Sequence, residues 1–225
     1  MKRFLIGLNI VIWSFVLYQV NAHAWTQRQP FPVEQCKVHA PYGFPVTTNV
    51  VPLCQQAYLV GYDAAAKLPK FVTYELLPNN ALGCVARTNA FATNQFVPNG
   101  AVPGDYAGTG YDKGHMAPAA DFNCNKETLY QTFTYLNSAL QNQYLNRGVW
   151  RILEEQERNL AKTEPVFVTI RCIFDKTSVV LPTGAKVPSG FYKTIYLPKS
   201  NKKFTYYFPN EKPTKKTYGE YEIKK

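Results

Sequence analysis

The chain has 225 residues, of which 46% are hydrophobic and 18% charged, and a formal net charge of +10. This length suits one domain with a substantial core rather than several. The charge favours polyanionic partners (nucleic acid, anionic lipid or acidic glycan) without choosing among them.

The N-terminus reads Met1-Lys2-Arg3, then an apolar run from Phe4 to Val20, then Ala22-His23-Ala24. This is the pattern of a secretory signal cut after Ala24, the alternative being a retained membrane anchor. Loss of Lys2 and Arg3 with the leader leaves a charge of +8. No later segment is long and apolar enough to cross a bilayer. The expected division is 1–24 signal peptide, 25–56 irregular arm, 57–209 globular domain and 210–225 basic tail. Five cysteines, Cys36, Cys54, Cys84, Cys124 and Cys172, permit two disulfides and one thiol in an exported protein, with connectivity open. A zinc site is unsupported, because no C-x-x-C pair or H-x-H grouping exists.

The arm is rich in Pro, Gln and Cys and has no period. Cys36 and Cys54 offer a way to tie it down. Ala57–Asp63 and Phe71–Leu77 alternate as strands, with Pro69 in the turn between them. A Gly-, Pro- and Asn-rich loop covers 94–110. From Lys126 to about Ala161 the composition is helical, with a break near 142–148. Val149, Ile152, Leu153, Gln156 and Leu160 would form the buried face of the second half. Strands return in VFVTIRCIF, FYKTIYL and FTYYF, and the Lys-rich tail from Asn210 reads as solvated and partly disordered. Strands, helices and strands again predict an α+β fold on a central antiparallel sheet.

The stretch GYDKGHMAPAADF, Gly110 to Phe122, holds the most chemistry. It is not a phosphate-cradling glycine loop, because no Gly-Lys-Ser/Thr ending follows. His115 is the base best suited to neutral pH, and His39 is the only other histidine beyond the leader. Downstream, NSALQNQYLNRGVWRILEEQER carries Asn137, Asn146, Glu154 and Arg158 among apolar residues.

These segments together resemble the DNA/RNA non-specific endonuclease family, sugar-nonspecific nucleases built on a ββα-metal (His-Me) finger. The family signature reads D-R-G-H-x-x-P, then N-x-x-P-Q, then N-x-G-x-W-x-x-L-E. VARTNAF and VPSGFYKTIY also match, so the resemblance spans about Tyr58 to Phe208. It implies a metal-dependent endonuclease acting on DNA and RNA without strong sequence preference, leaving 5′-phosphate ends, secreted or periplasmic and free of stable membrane association. The cofactor implied is Mg2+, with Mn2+ as an alternative. His115 would be the general base, its ring oriented by a backbone carbonyl. Asn137 would be the direct metal ligand, with Asn146 and Glu154 acting through metal-bound water. Arg87 and Arg158 match phosphate-contacting arginines. Gly114 would let a phosphate approach the backbone. Asp112 either holds the loop or ligates the metal.

Two positions depart from the pattern. Lys113 replaces an arginine, keeping its charge without its fork, and Leu140 replaces a proline expected to shape the turn beside the metal asparagine. The rival readings are a basic nucleic-acid-binding protein with a degenerate nuclease fold, and a toxin-type nuclease.

Overall fold

A computed structural model describes residues 31–224; the expected signal sequence, 1–24, lies outside them. Its centre is a six-stranded antiparallel sheet in the order β1-β2-β3-β6-β9-β10. The strands are β1 (Val51–Cys54), β2 (Leu59–Asp63), β3 (Leu68–Leu76), β6 (Val166–Ile173), β9 (Gly190–Leu197) and β10 (Lys202–Pro209). A hairpin of β4 (Tyr111–His115) and β5 (Ser138–Asn142) and a small pair, β7 (Val179–Val180) with β8 (Lys186–Val187), stand apart. The two longer helices are α1 (Lys126–Thr132) and α2 (Arg151–Ala161). The fold is therefore α+β, as the alternating patterns predict.

Strand alternation sorts the sheet into two faces. Val166, Val168, Ile170, Phe191, Ile195 and Leu197 point into the main core. The Trp150 indole is fully buried there, its ring 5.5 Å from both Phe191 and Phe208. α2 presents Leu153, Glu157 and Ala161 to the core, whereas Ile152 is exposed. The buried stripe is thus displaced from the one read in the sequence and contains an acid.

The segment around Asn137 is not helical. After α1 the chain makes a short 3-10 turn at Tyr135–Asn137 and enters β5, which pairs with β4 in the register Lys113↔Leu140 and His115↔Ser138. Leu140 lies in this regular strand, buried with Tyr106 and Tyr135, so the turn that a proline was expected to shape is absent at that position. The tail also differs from expectation. Tyr221 is buried with its ring stacked 4.8 Å from Phe208, and Tyr218 packs 6.0 Å from Tyr206. These two aromatics anchor a segment that its lysines would otherwise keep in solvent.

Disulfides join Cys36 to Cys54 and Cys84 to Cys124, leaving Cys172 as a buried thiol. The first pins the arm to β1. His39 belongs to the same anchorage. Its Nε2 lies 3.0 Å from the Gln56 carbonyl, Nδ1 accepts the Glu75 N–H, and burial pushes its pKa down to about 4. It is a neutral structural imidazole, which leaves His115 for chemistry.

Candidate active site

β4 ends at His115, and its pairing with β5 fixes where that ring can go. The imidazole is held between two phenyl rings, Phe91 at 5.0 Å and Phe133 at 4.9 Å. Each of these rings carries a cation: Lys113 Nζ lies 5.0 Å from the Phe91 centroid and Arg87 Cζ 5.1 Å from that of Phe133. The Cys84–Cys124 bridge and the Val85 N–H to Asn123 carbonyl bond hold the Arg87 segment beside the end of the motif.

Burial, and then the charges of Arg87 and Lys113, push the His115 pKa down to about 3. The ring is therefore neutral at physiological pH. Its Nε2 is buried and has no hydrogen-bond partner among the described residues, a costly state for a polar atom. The backbone carbonyl expected to orient the ring is not found among the described residues; aromatic packing does that work instead.

The linkage has a definite sign. The folded pKa lies below the imidazole's usual value, so this group costs stability as pH falls from about 6.5 towards 3. Lys113→Gln removes one repelling charge and is expected to raise the His115 pKa, read as an upward shift of the midpoint pH in an NMR titration of its imidazole resonances. A downward shift or none would show that Lys113 does not act on this ring.

Asn137 and Asn146 differ sharply in their surroundings. Asn137 is fully buried. Its Oδ1 accepts the Ala117 N–H at 2.7 Å, and its Nδ2 donates to the Ala117 and Thr132 carbonyls at 2.8 and 3.0 Å. Both ends of the amide are consumed by backbone, so the expectation that Asn137 is the direct metal ligand does not fit its surroundings. It locks the turn after His115 to the turn before β5. Asn146 is half-exposed at the start of a π-helical turn, Asn146–Trp150, that leads into α2. Its Nδ2 donates to Asp112 Oδ2 at 2.8 Å, which turns Oδ1 the other way, without a partner among the described residues.

Asp112 is engaged by two neighbouring side chains. Arg147 grips it with two bonds of 2.9 and 2.6 Å while Asn146 takes a third. Burial alone would raise this carboxyl, but the Arg147 and Asn146 bonds hold it below its ordinary range. Gly114 has a different reason from the one read in the sequence. A Cβ there would lie 2.2 Å from Gln141 Oε1 and 2.6 Å from Gln141 Cβ, so it is the Gln141 side chain that the glycine admits.

Beneath the surface lies an ionic cluster that sequence reasoning largely missed. Arg158 Nη1 bonds Asp121 at 2.7 Å, and Lys193 Nζ lies 2.8 Å from Glu157 with both groups wholly buried. Tyr74 donates to the other Glu157 oxygen, and Lys193 sits 4.3 Å from the Trp150 ring centroid. Two signals were present: Asp121 closes the quoted motif, and Lys193 occupies an inward phase of FYKTIYL. Phe91, in VARTNAF, and Phe133 were passed over as ordinary aromatics. Arg158 is thus tied first to Asp121, whatever else it touches.

The cluster sets three carboxyls, Asp121, Glu154 and Glu157, against two cations, Arg158 and Lys193. Burial pushes Glu154 up to about 7; Glu157 adds to this, while Lys193, Arg158 and the Trp150 indole oppose it. Burial and Glu157 likewise raise Asp121, against the pull of Arg158. Among the described residues no group of three or more His, Cys, Asp or Glu could hold a metal. What the residues do fit is a hydrated cation with few protein ligands: one amide oxygen at Asn146 without a partner among the described residues, and a partly buried carboxyl at Glu154.

The fold is of the ββα-metal type, with an antiparallel hairpin ending in a histidine, followed by a helix carrying polar and acidic side chains. The family model for the DNA/RNA non-specific endonucleases matches residues 37–224, and the chain belongs to that family. Nuclease EXOG, mitochondrial, of Xenopus laevis is 32% identical over 170 residues, 68% of this chain and 47% of the relative. Nuclease C1 of Cunninghamella echinulata var. echinulata is 36% identical over 114 residues, 45% of each chain. The chain thus spans about half the length of these relatives. The crystal structure of the EndoG/EndoGI complex shares the fold, with a TM-score of 0.72 over 88% of each chain at 24% identity.

Proposed function

We propose that the chain is a metal-dependent endonuclease that hydrolyses phosphodiester bonds in DNA and RNA with little sequence preference. The observation that carries this reading is the orphaned, neutral Nε2 of His115, flanked by Lys113 and Arg87. In this role the imidazole accepts a proton from the attacking water, and a histidine already deprotonated well below neutrality is in the correct form throughout the physiological range. Arg87 and Lys113 draw the diester towards the ring and offset charge on its non-bridging oxygens. Contacts of this kind carry no base information, which supports the lack of sequence preference.

We assign the direct metal contact to Asn146 Oδ1, oriented by Asp112, and water-mediated contacts to Glu154. Mg2+, or Mn2+ in its place, would supply positive charge at the scissile phosphate and the leaving oxygen. Arg158, anchored by Asp121, fixes the helical face that carries Glu154 and has a second use in binding phosphate. The leader pattern and the two disulfides support export to an oxidising compartment, secreted or periplasmic. No described helix is long and apolar enough to cross a membrane.

Incubation with supercoiled plasmid and with total RNA should convert both to short fragments in Mg2+ or Mn2+, and EDTA should abolish the conversion. Binding without any cleavage in either metal would replace this reading with that of a nucleic-acid-binding protein.

A further inference from the structure

The outer face of the sheet, opposite α2, is a second organised surface. Strand register sets its side chains in three cross-strand rows. One runs Phe71, Arg171, Tyr192, Tyr207; the next Thr73, Thr169, Thr194, Thr205; the third Glu75, Phe167, Tyr196, Lys203. The N-terminal arm covers the β3 end, where Phe44 stacks on Phe71 at 5.6 Å. Further along, the arm reaches over Phe167 and Tyr196 through Tyr42 alone, and the Tyr192–Tyr207 ring pair lies beyond it at 4.9 Å.

Between arm and sheet the chain leaves a cleft of about 440 Å3, a volume in the range of small-molecule sites. Tyr42 forms its rim, 63% exposed, with its ring edge-on to Phe167 at 5.4 Å and to Tyr196 at 4.8 Å. Arg171 and Lys203 line the cleft and no acid does. Glu75, the one acid of the three rows, sits at the covered end with its N–H bonded to His39 Nδ1. Aromatic rings interleaved with free cations on a β-surface match single-stranded nucleic acid, whose bases stack on π-faces regardless of sequence while cations follow the backbone.

We propose that this face binds single-stranded nucleic acid, one base entering the cleft against Tyr42 and Tyr196, another resting on the Tyr192–Tyr207 pair, and backbone phosphates meeting Arg171 and Lys203. The purpose of such a platform, holding a long strand while the opposite face cleaves it, rests on the nuclease reading above. Binding itself does not.

The test uses the full chain carrying His115→Gln, in EDTA, with fluorescently labelled oligothymidylate as the probe. Adding Arg171→Glu with Lys203→Glu, or Tyr42→Ala alone, should weaken binding about tenfold or more. The charge pair should also flatten the salt dependence by about 1.4 in log–log slope, at ~0.7 per phosphate contact. All three side chains are exposed, so the variants should fold, as circular dichroism would verify. With His115 intact, the same substitutions should raise KM for long single-stranded DNA about tenfold and leave hydrolysis of a bis(p-nitrophenyl) phosphate diester within twofold. Unchanged affinity and slope would overturn the proposal, as would loss of heparin binding with oligothymidylate binding intact. If wild type cleaves neither substrate while the variants still lose affinity, the nuclease reading fails and the platform stands.

Discussion

His115→Gln is expected to lower plasmid cleavage by roughly 100- to 10,000-fold, the span of a lost general base. Glutamine is the better test than alanine. The imidazole is packed between Phe91 and Phe133, so His115→Ala opens a cavity whose cost would mix with the chemical loss. Glutamine fills much of that space but cannot accept a proton near neutrality. The variant should therefore retain substrate affinity, because Arg87 and Lys113 remain, and lose turnover. Cleavage within tenfold of wild type would remove His115 from the reaction and leave its orphaned nitrogen without a use.

The two asparagines should fail in opposite ways. Asn146→Ala removes an amide that is half-exposed and held only by Asp112, so melting should barely change. Cleavage at millimolar Mg2+ should fall at least 100-fold and recover in part at higher metal concentration. Asn137→Ala deletes three buried hydrogen bonds and strands the Ala117 N–H and C=O and the Thr132 C=O. The cost should be on the order of 3 kcal/mol, given ~1–3 kcal/mol for each buried group left unpaired. Whatever folds should keep the wild-type metal midpoint. Thermal melts and metal titrations of both variants separate these outcomes, and a raised metal requirement confined to Asn137→Ala would reverse the assignment.

Much of the sheet is legible in the sequence because β6 and β9 alternate without interruption. β5 is not, since Ser-Ala-Leu-Gln-Asn carries no strand preference and is extended only because β4 lies alongside it. Tertiary pairing overrides local propensity at that point. The displaced face of α2 has a related cause: Glu157 looks like a solvent residue until Lys193, 36 positions later, supplies its buried partner. The motif positions of the site are readable as a set, but not the division of labour within them. Whether an asparagine binds a cation or braces a turn depends on which backbone groups surround its amide, and spacing along the chain does not encode this.

The C-terminal segment closes a vulnerable border. β10 is the last strand of the sheet, and Tyr206 pairs with Glu222 while the Ile223 N–H reaches the Thr205 carbonyl at 2.8 Å. A chain shortened before Tyr218 would present a bare ladder of amides and carbonyls, with Phe208 uncovered beside it, to any neighbouring molecule. Lys202 and Lys203 would then be the main deterrent to edge-on stacking of copies, and salt would weaken it.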